Sequence, residues 1–339
     1  MSTPEKLGGF KVLKNVTRIS LVSSRKARDF PSRVFRSIAD EKINLPYATC
    51  VLDDQAWGLN IVVESGDAEK TAAVLEATFD RKSAIQSKSA ILSLFPHKKN
   101  PEITRILFEA FGRENVPTDA LANSPSAISV VLDETVLDRA SRALFGPFTF
   151  SAYRTPSDWK LAQKGKEQLY KEVVASYQEK RPKVYGLEVQ NQQAFLQVKL
   201  DRRHIASFGS SFKKFARLGL YLAFLATSPC EEGGEENISF CLPMSDKTAY
   251  KELMGNTPFP SGPVGLEPVA AFAMNGPHFG DRYGIVSELL MALETGHVDL
   301  LGLSCTIASI TGVVPSDQLT AAIASIRERF DIPSVIERT

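Results

Sequence analysis

Two loops of the chain carry a proline followed by a histidine, and each lies between an apolar run and a helix-like run. The first is "FPHKKNPEI", which contains His97, and the second is "GPHFGDRYGI", which contains His278. A catalytic histidine needs a carboxylate or a nucleophile within hydrogen-bond reach. Only Asp281 lies nearby in sequence, and only in the second loop, so the spacing argues against a catalytic pair.

The glycines of the second loop are compatible with anion binding. Gly276, Gly280 and Gly284 precede a helix-like run, and the free N–H groups at the start of a helix attract anions. The lysine and Ser/Thr of a phosphate-binding P-loop are missing, so a carboxylate ligand fits better than a phosphate. Two interpretations stay open: a carboxylate-binding loop, or glycines that serve a tight turn beside a solvated histidine.

Length and composition are those of an ordinary globular chain. With 339 residues and a formal net charge of +1, the chain gives no electrostatic reason to expect nucleic acid or an anionic membrane as a partner. The four cysteines are scattered and no His or Cys pattern has metal-ligand spacing, so we expect no metal and no cofactor. Because the N-terminus lacks a signal-peptide layout and the longest apolar run is short, we expect a cytoplasmic protein.

One order of secondary structure recurs four times along the chain: strand, helix, strand, strand, helix. In the second copy, apolar residues recur at helical spacing between Ile103 and Phe111. The run "SAISVVLDE" alternates between apolar and polar residues, as a half-buried strand does. Each copy needs one further strand to complete a ferredoxin-like sheet, and "FTFSAY" and "PSVIER" are the candidates.

The repeat predicts an α+β fold of four tandem ferredoxin-like (βαββαβ) units in two pairs, with antiparallel sheets and helices on one face. Both halves open with a strand pair around an asparagine, at Asn15 and at Asn191. A helix that begins at Thr155 and Pro156 and ends before Pro182 separates the halves. The predicted domains are residues 10–84, 85–153, 183–257 and 266–337, with a helical linker at 154–182.

The last segment of the chain resembles a known family. "HVDLLGLSCTIASITGVVPSDQLTAAIASIRERFDIP" is similar to the ACT domains of aspartate kinases in its order of strand, polar turn, β-rich strand and alanine-rich helix. "DRYGIVSELLMALETGHVDLLGLS" resembles the front half of the same module, where an Asp-Arg-Pro-Gly-like turn precedes the first helix. The residues that match this turn and its continuation are Asp281, Arg282, Gly284 and Ile285. The resemblance covers nearly all of the chain except the central helix and the termini, and it is weaker in the third unit.

The resemblance implies a ligand and a place for it. ACT domains bind amino acids at this loop and helix end, across an interface between two modules. Backbone N–H groups there hold the carboxylate, and an Asp or Asn side chain holds the ammonium group. The residues that the resemblance places in such pockets are Asn275, Gly276, His278, Gly280, Asp281, Arg282, Gly284 and Ile285 in the fourth unit, His97 and Asn100 in the second, and Asp29 in the first.

No segment resembles the kinase domain of an aspartate kinase, so the chain looks like regulatory modules without an enzyme. We therefore expect a non-catalytic sensor, not an enzyme, that binds an amino acid and controls a partner enzyme of amino-acid metabolism by an allosteric shift. The alternative is an ACT-like scaffold that has lost ligand binding and assembles with such an enzyme. A homodimer is compatible with both, and we expect neither nucleic acid nor a membrane as a partner.

Overall fold

The structure is a computed structural model that describes residues 4–24, 28–54, 56–163, 181–201, 209–230, 235–244, 264–276, 279, 283–306 and 309–338. The strands are β1 (Glu5–Leu7), β2 (Gly9–Ser24), β3 (Tyr47–Leu52), β4 (Ala56–Glu64), β5 (Ala84–Phe95), β6 (Ala120–Asn123), β7 (Ile128–Asp133), β8 (Phe148–Phe150), β9 (Gly186–Asp201), β10 (Phe224–Pro229), β11 (Glu235–Pro243), β12 (Val264–Asn275), β13 (Gly302–Thr306), β14 (Ser309–Pro315) and β15 (Val335–Glu337). The α-helices are α1 (Phe30–Asp40), α2 (Ala68–Phe79), α3 (Pro101–Arg113), α4 (Leu137–Ala143), α5 (Pro156–Gln163), α6 (Gly209–Arg217), α7 (Ile285–Thr295) and α8 (Leu319–Arg329).

Most of these strands form one large sheet. Its order is β11-β10-β6-β7-β5-β2-β4-β3-β13-β14-β12-β9-β15, and β11 also pairs with β9, so the order closes on itself. All of these pairings are antiparallel except that of β15 with β9. The predicted mixture of helices with antiparallel strands is confirmed. The division into four ferredoxin-like units stays a prediction.

The strand pair predicted around Asn15 is wrong, because this segment is one continuous strand. The register of β2 against β5 shifts between Leu13 and Val16. At this shift Asn15 has a φ of 57°, a left-handed conformation that asparagine adopts more readily than most residues. The irregularity is a β-bulge, which bends the strand without ending it. The corresponding strand of the second half, β9, is also a single run of 16 residues, with Gln192 at a φ of 52°.

Both predicted closing strands take a different position. β8, from the run "FTFSAY", pairs in parallel with β1 in a separate two-stranded sheet. The place beside β5 is occupied by the first half of β2, and the free edge of that half is covered by Tyr153. The Tyr153 hydroxyl donates to the Phe10 carbonyl at 2.9 Å and accepts from the Phe10 N–H. β15, from "PSVIER", joins the large sheet, but it pairs in parallel with β9, and the first half of β9 occupies the place beside β12.

Two predicted helices are confirmed where the structure describes them. α3 buries Leu107 and Phe111 on the face that the apolar spacing indicates. α5 begins at Pro156, and the Asp158 N–H donates to Thr155 Oγ1 at 3.1 Å, as the predicted cap requires. The rest of the predicted linker, residues 164–180, lies outside the described residues.

Strand and helix contacts bring distant segments together. β3 pairs with β13, and α1 packs beside α7. β6 pairs with β10 through Ala122 and Ala226, and α3 packs against α6, where the rings of Phe108 and Phe212 lie 5.4 Å apart. The chain can be divided into a first segment from β2 to α2, a second from β5 to α4, a third from β9 to β11 and a fourth from β12 to α8. The first segment is therefore a neighbour of the fourth, and the second is a neighbour of the third. None of the described helices is long and apolar enough to cross a membrane.

Candidate functional site

The two Pro-His loops each lead into a helix. The loop with His97 joins β5 to α3, and the loop with His278 joins β12 to α7. Four of the predicted site residues lie outside the described residues: His278, Gly280, Asp281 and Arg282. The other seven are placed by the structure.

Gly284 sets the start of α7. Its φ of +83° and ψ of −7° lie in the left-handed region, which glycine adopts without steric cost. The first bond inside the helix runs from the Glu288 N–H to the Gly284 carbonyl at 2.9 Å. The N–H groups of residues 285–287 therefore precede the helical ladder, and no side chain of the capping residue accepts from them. This helix end has the positive partial charge that attracts anions.

The end of α1 lies beside the start of α7. A Cβ atom added to Gly284 would lie 3.7 Å from Ala39 Cβ, near the last residue of α1. Arg36 Nη2 reaches Glu294 Oε2 at 3.3 Å, near the other end of α7. The two helices thus run antiparallel, so the carboxyl end of one dipole adjoins the amino end of the other.

A small cleft opens where these two helix ends meet. Its volume is about 20 Å³, roughly the space of one water molecule. The start of α7 contributes Tyr283, Gly284, Ile285, Val286 and Ser287, and Phe279 and Cys305 complete that side. α1 and the residues after it contribute Phe35, Ile38, Ala39, Ile43 and Leu45. Of the predicted residues, the structure therefore places Gly284 and Ile285 in the cleft, whereas the wall from α1 was not predicted.

The chemistry of the cleft suits binding more than catalysis. Burial raises the pKa of the Cys305 thiol to about 12, so the thiol is protonated at neutral pH and is a poor nucleophile. Among the described residues, no group of three or more His, Cys, Asp and Glu side chains is arranged to hold a metal ion. The described wall offers mainly apolar side chains, together with Tyr283, Ser287 and Cys305 and the N–H groups at the start of α7.

Asn275 and Gly276 lie at the end of β12, on the way to the cleft. Asn275 Oδ1 accepts a hydrogen bond from Ser309 Oγ, and the Asn275 carbonyl accepts from the Tyr185 N–H at 2.8 Å. A Cβ atom on Gly276 would come within 2.3 Å of the Phe279 ring, so the packing of Phe279 requires a glycine here. In the described part of the chain, the cleft does not extend to either residue.

The start of α3 is satisfied by its own side chains. Asn100 Oδ1 accepts from the Glu102 N–H at 2.9 Å, which caps the helix, and Pro101 is its first residue. His97 is fully buried, with Nε2 2.9 Å from Thr104 Oγ1. Burial lowers the pKa of His97 to about 4, so the ring is neutral at pH 7.

Lys99 ties the same loop to other segments. Its carbonyl accepts from the Leu222 N–H at 3.4 Å, and its Nζ lies 3.6 Å from Glu188 Oε2. Burial lowers the Lys99 pKa, and the Glu188 carboxylate opposes this effect. His97 and Asn100 thus already have protein partners, and their predicted contact with a ligand stays a prediction.

Asp29 lies at the start of α1, in the loop that follows β2. Its side chain is exposed, makes no capping hydrogen bond, and lies 3.8 Å from Arg33 Nη1. An exposed pair at this distance contributes little to stability. The role of Asp29 in binding stays a prediction.

Comparison with known proteins identifies the fold. Aspartate kinase from Synechocystis matches with a TM-score of 0.76 and 16% identity, over 98% of this chain and 57% of that enzyme. The ligand-free regulatory subunit of aspartate kinase from Thermus thermophilus matches 42% of this chain, with 17% identity and a TM-score of 0.38. Aspartokinase 2 from Bacillus subtilis is 24% identical over 144 residues, which are 41% of this chain and 35% of that protein. No family model matches the chain. The chain therefore has an aspartate kinase-like fold.

This result corrects the functional prediction. The chain was expected to be a non-catalytic sensor or a scaffold, and not an enzyme. The solved structure that covers 98% of the chain is an aspartate kinase, which is an enzyme, and this contradicts the expectation. The expectation rested on the lack of a segment that resembles a kinase domain. The chain spans 57% of the Synechocystis enzyme, so that inference was not justified.

Proposed function

We propose that the chain forms part of an aspartate kinase and carries a site at which an amino acid changes the activity of that enzyme. The observation that carries this proposal is the cleft where the amino end of α7 meets the carboxyl end of α1. The likeness of the chain to Synechocystis aspartate kinase supports the kinase assignment. This enzyme would transfer a phosphoryl group to aspartate.

The ends of the two helices suit a zwitterion. The carboxylate of an amino acid would bind the N–H groups at the start of α7, after Gly284, where the helix dipole is positive. The ammonium group would lie toward the carboxyl end of α1, near Ala39, where the dipole is negative. Because the cleft holds only about one water molecule, a ligand would have to widen it.

The ACT-like division remains part of this proposal. The units at 10–84 and 266–337 would share the cleft, which agrees with the pairing of β3 with β13 and of α1 with α7. The units at 85–153 and 183–257 would form the other pair through α3 and α6. His278 and Asp281 are proposed to complete the contacts with the amino acid.

Ligand binding would act by changing how α1 and α7 are placed. A ligand that prefers the wider cleft shifts the population toward that arrangement by its difference in affinity. A coupling of about 1–3 kcal/mol would change enzyme activity about 5- to 150-fold if the kinase prefers one arrangement. The kinase residues would belong to the same enzyme as the chain.

Enzyme assays test the proposal. The full chain is combined with the Synechocystis kinase from which the part matching this chain has been removed, and ATP-dependent phosphorylation of aspartate is measured. Each of the twenty amino acids is then added in turn. We expect one of them to change the rate at least about fivefold when the chain is present.

A matched variant locates the effect. Gly284→Val places a branched side chain at the cleft and should remove the response while leaving the basal rate. Gly66→Val makes the same substitution at a glycine where an added Cβ atom would meet no other atom within 4 Å, so it should keep the response. If the rate is the same with and without the chain, and no amino acid changes it, the proposal is wrong.

A further inference from the structure

Four side chains form a hydrogen-bonded row between the two Pro-His loops. They are Ser124 and Ser126, in the turn between β6 and β7, Ser309 at the start of β14, and Asn275 at the end of β12. Ser124 Oγ lies 3.1 Å from Ser126 Oγ, and Ser126 Oγ lies 2.7 Å from Ser309 Oγ. Ser309 Oγ in turn bonds Asn275 Oδ1. The row therefore joins the turn of the second segment to the loop that leads to α7.

The number of protons sets the direction of this row. Each hydroxyl has one proton to donate. The Ser309 hydroxyl donates its proton to Asn275 Oδ1, so in its contact with Ser126 it must be the acceptor. Ser126 donates its own proton to Ser309, so toward Ser124 it can only accept, and the Ala127 carbonyl, also 3.1 Å from Ser124 Oγ, competes for the Ser124 proton. The acceptor at Asn275 thus orients the hydroxyl groups of Ser309 and Ser126, and such aligned bonds polarise one another.

The other end of the row holds the loop before α3. The His97 N–H donates to the Ser126 carbonyl at 3.2 Å, and the Lys98 N–H donates to the Pro125 carbonyl at 3.1 Å. His97 Nδ1 lies 3.4 Å from the Ser124 carbonyl, which can only accept, so the ring proton is on Nδ1. The turn between β6 and β7 is thus bonded directly to the loop before α3, and through Ser309 to Asn275, where the loop to α7 begins.

We infer that the loops before α3 and α7 are coupled through the Ser126–Ser309 hydrogen bond. A change in the hydrogen bond between Asn275 and Ser309 would then alter the hydrogen bonds by which the turn between β6 and β7 holds His97 and Lys98. The contact is the step between the two segments, because Ser126 follows β6 and Ser309 belongs to β14. This coupling goes beyond the proposed function and does not rest on it, because it acts in the protein without a ligand. Through this coupling, a structural change at one loop would alter the hydrogen bonds of the other loop.

Amide hydrogen exchange measures this coupling in the full chain. Ser309→Ala removes the acceptor of Ser126, which should loosen the turn and speed exchange at the His97 and Lys98 amides. We expect about two- to tenfold faster exchange, the range that loss of one neutral hydrogen bond produces. Ser126→Ala removes the other hydroxyl of the same contact, so the result does not depend on one variant folding. In the double variant the increase should equal that of one single variant, because both remove the same bond.

The chain offers a matched control. Ser93 and Ser129 form a hydroxyl pair at 2.8 Å between β5 and β7, within the second segment. Ser93→Ala removes a bond of the same kind on the strand that leads to His97, without touching Ser309. It should leave the exchange of His97 and Lys98 unchanged. Unchanged exchange in both Ser309→Ala and Ser126→Ala, or an equal increase in Ser93→Ala, would overturn the inference.

Discussion

The loops before α3 and α7 share a Pro-His pair and a position between strand and helix. They differ in whether a side chain caps the first N–H groups of the helix that follows. At α3 the Asn100 side chain caps the helix, Pro101 occupies the first position and His97 is buried against Thr104. At α7 the capping residue is Gly284, which has no side chain to offer, and a cleft lies beside it.

The difference separates a structural loop from a binding loop. A polar group that already has a protein partner gains little from a ligand, because binding would exchange one hydrogen bond for another. The N–H groups that follow Gly284 precede the helical ladder, so a ligand could add bonds there. Changes at the α3 loop should therefore affect stability without affecting ligand binding, whereas changes at the α7 loop should affect ligand binding.

Removing the buried histidine should have the largest effect. His97→Ala leaves a cavity and deprives Thr104 Oγ1 and the Ser124 carbonyl of a partner. We expect the free energy of unfolding to fall by about 2–4 kcal/mol, measured by urea denaturation. His297→Ala, at an exposed histidine, is the control and should change it by less than about 0.5 kcal/mol. Equal effects at both positions would show that the α3 loop does not depend on His97.

Acid should weaken the same loop. The pKa of His97 is lowered to about 4 in the folded chain, whereas a histidine in an unfolded chain titrates near about 6.5. Between these values the unfolded chain binds the proton more readily. The contribution of neutral His97 to the free energy of unfolding is therefore complete above about pH 6.5. It is lost as the pH falls toward 4, by up to roughly 3 kcal/mol. Urea denaturation at several pH values measures it, and His97→Gln should remove it. The same pH slope in both proteins would contradict this account.

Substitution of the capping glycine should cost less stability. Gly284→Val forces a β-branched residue to a φ of +83°, which we expect to lower the free energy of unfolding by about 1–2 kcal/mol. At Gly66 an added Cβ atom would meet no other atom within 4 Å. The free energy of unfolding of Gly66→Val should therefore stay within about 0.5 kcal/mol of that of the original protein. Urea denaturation of both variants checks this. No loss in Gly284→Val would mean that α7 starts differently.

The cap of α3 should give the smallest effect. Asn100→Ala removes the acceptor of the Glu102 N–H and should cost about 1 kcal/mol. Asn100→Asp keeps the acceptor and adds a negative charge at the positive helix end, so it should cost less. Thermal or urea unfolding compares the two. If alanine and aspartate have the same effect, the side chain of Asn100 is not the cap.

Features set by neighbouring residues could be predicted from the sequence. The helix at α3 follows from an asparagine and a proline before an apolar face, all within a few residues. The glycines before α7 likewise indicated the start of a helix, and Gly284 lies there, whereas anion binding at this helix end stays a prediction. These signals are local, so no knowledge of the tertiary arrangement is needed to interpret them.

Features set by distant residues could not be predicted in the same way. Ile38 and Leu45 reach the cleft because α1 packs beside α7 and β3 pairs with β13, a contact across some 250 positions of the chain. β8 was assigned to the wrong sheet because its sequence shows that it is a strand but not which strand it joins. A bulged strand such as β2 also looks like two strands, since the irregularity at Asn15 resembles a turn.

The most direct test compares amino-acid binding at the two loops. Thermal unfolding of the original chain, Gly284→Val and Asn100→Ala is recorded with and without each of the twenty amino acids. A ligand at about a hundred times its Kd adds about 2.7 kcal/mol to stability. We predict that one amino acid raises the Tm of the original chain and of Asn100→Ala, but not that of Gly284→Val. A shift that persists in Gly284→Val and disappears in Asn100→Ala, or no shift with any amino acid, would contradict the assignment of the binding site to α7.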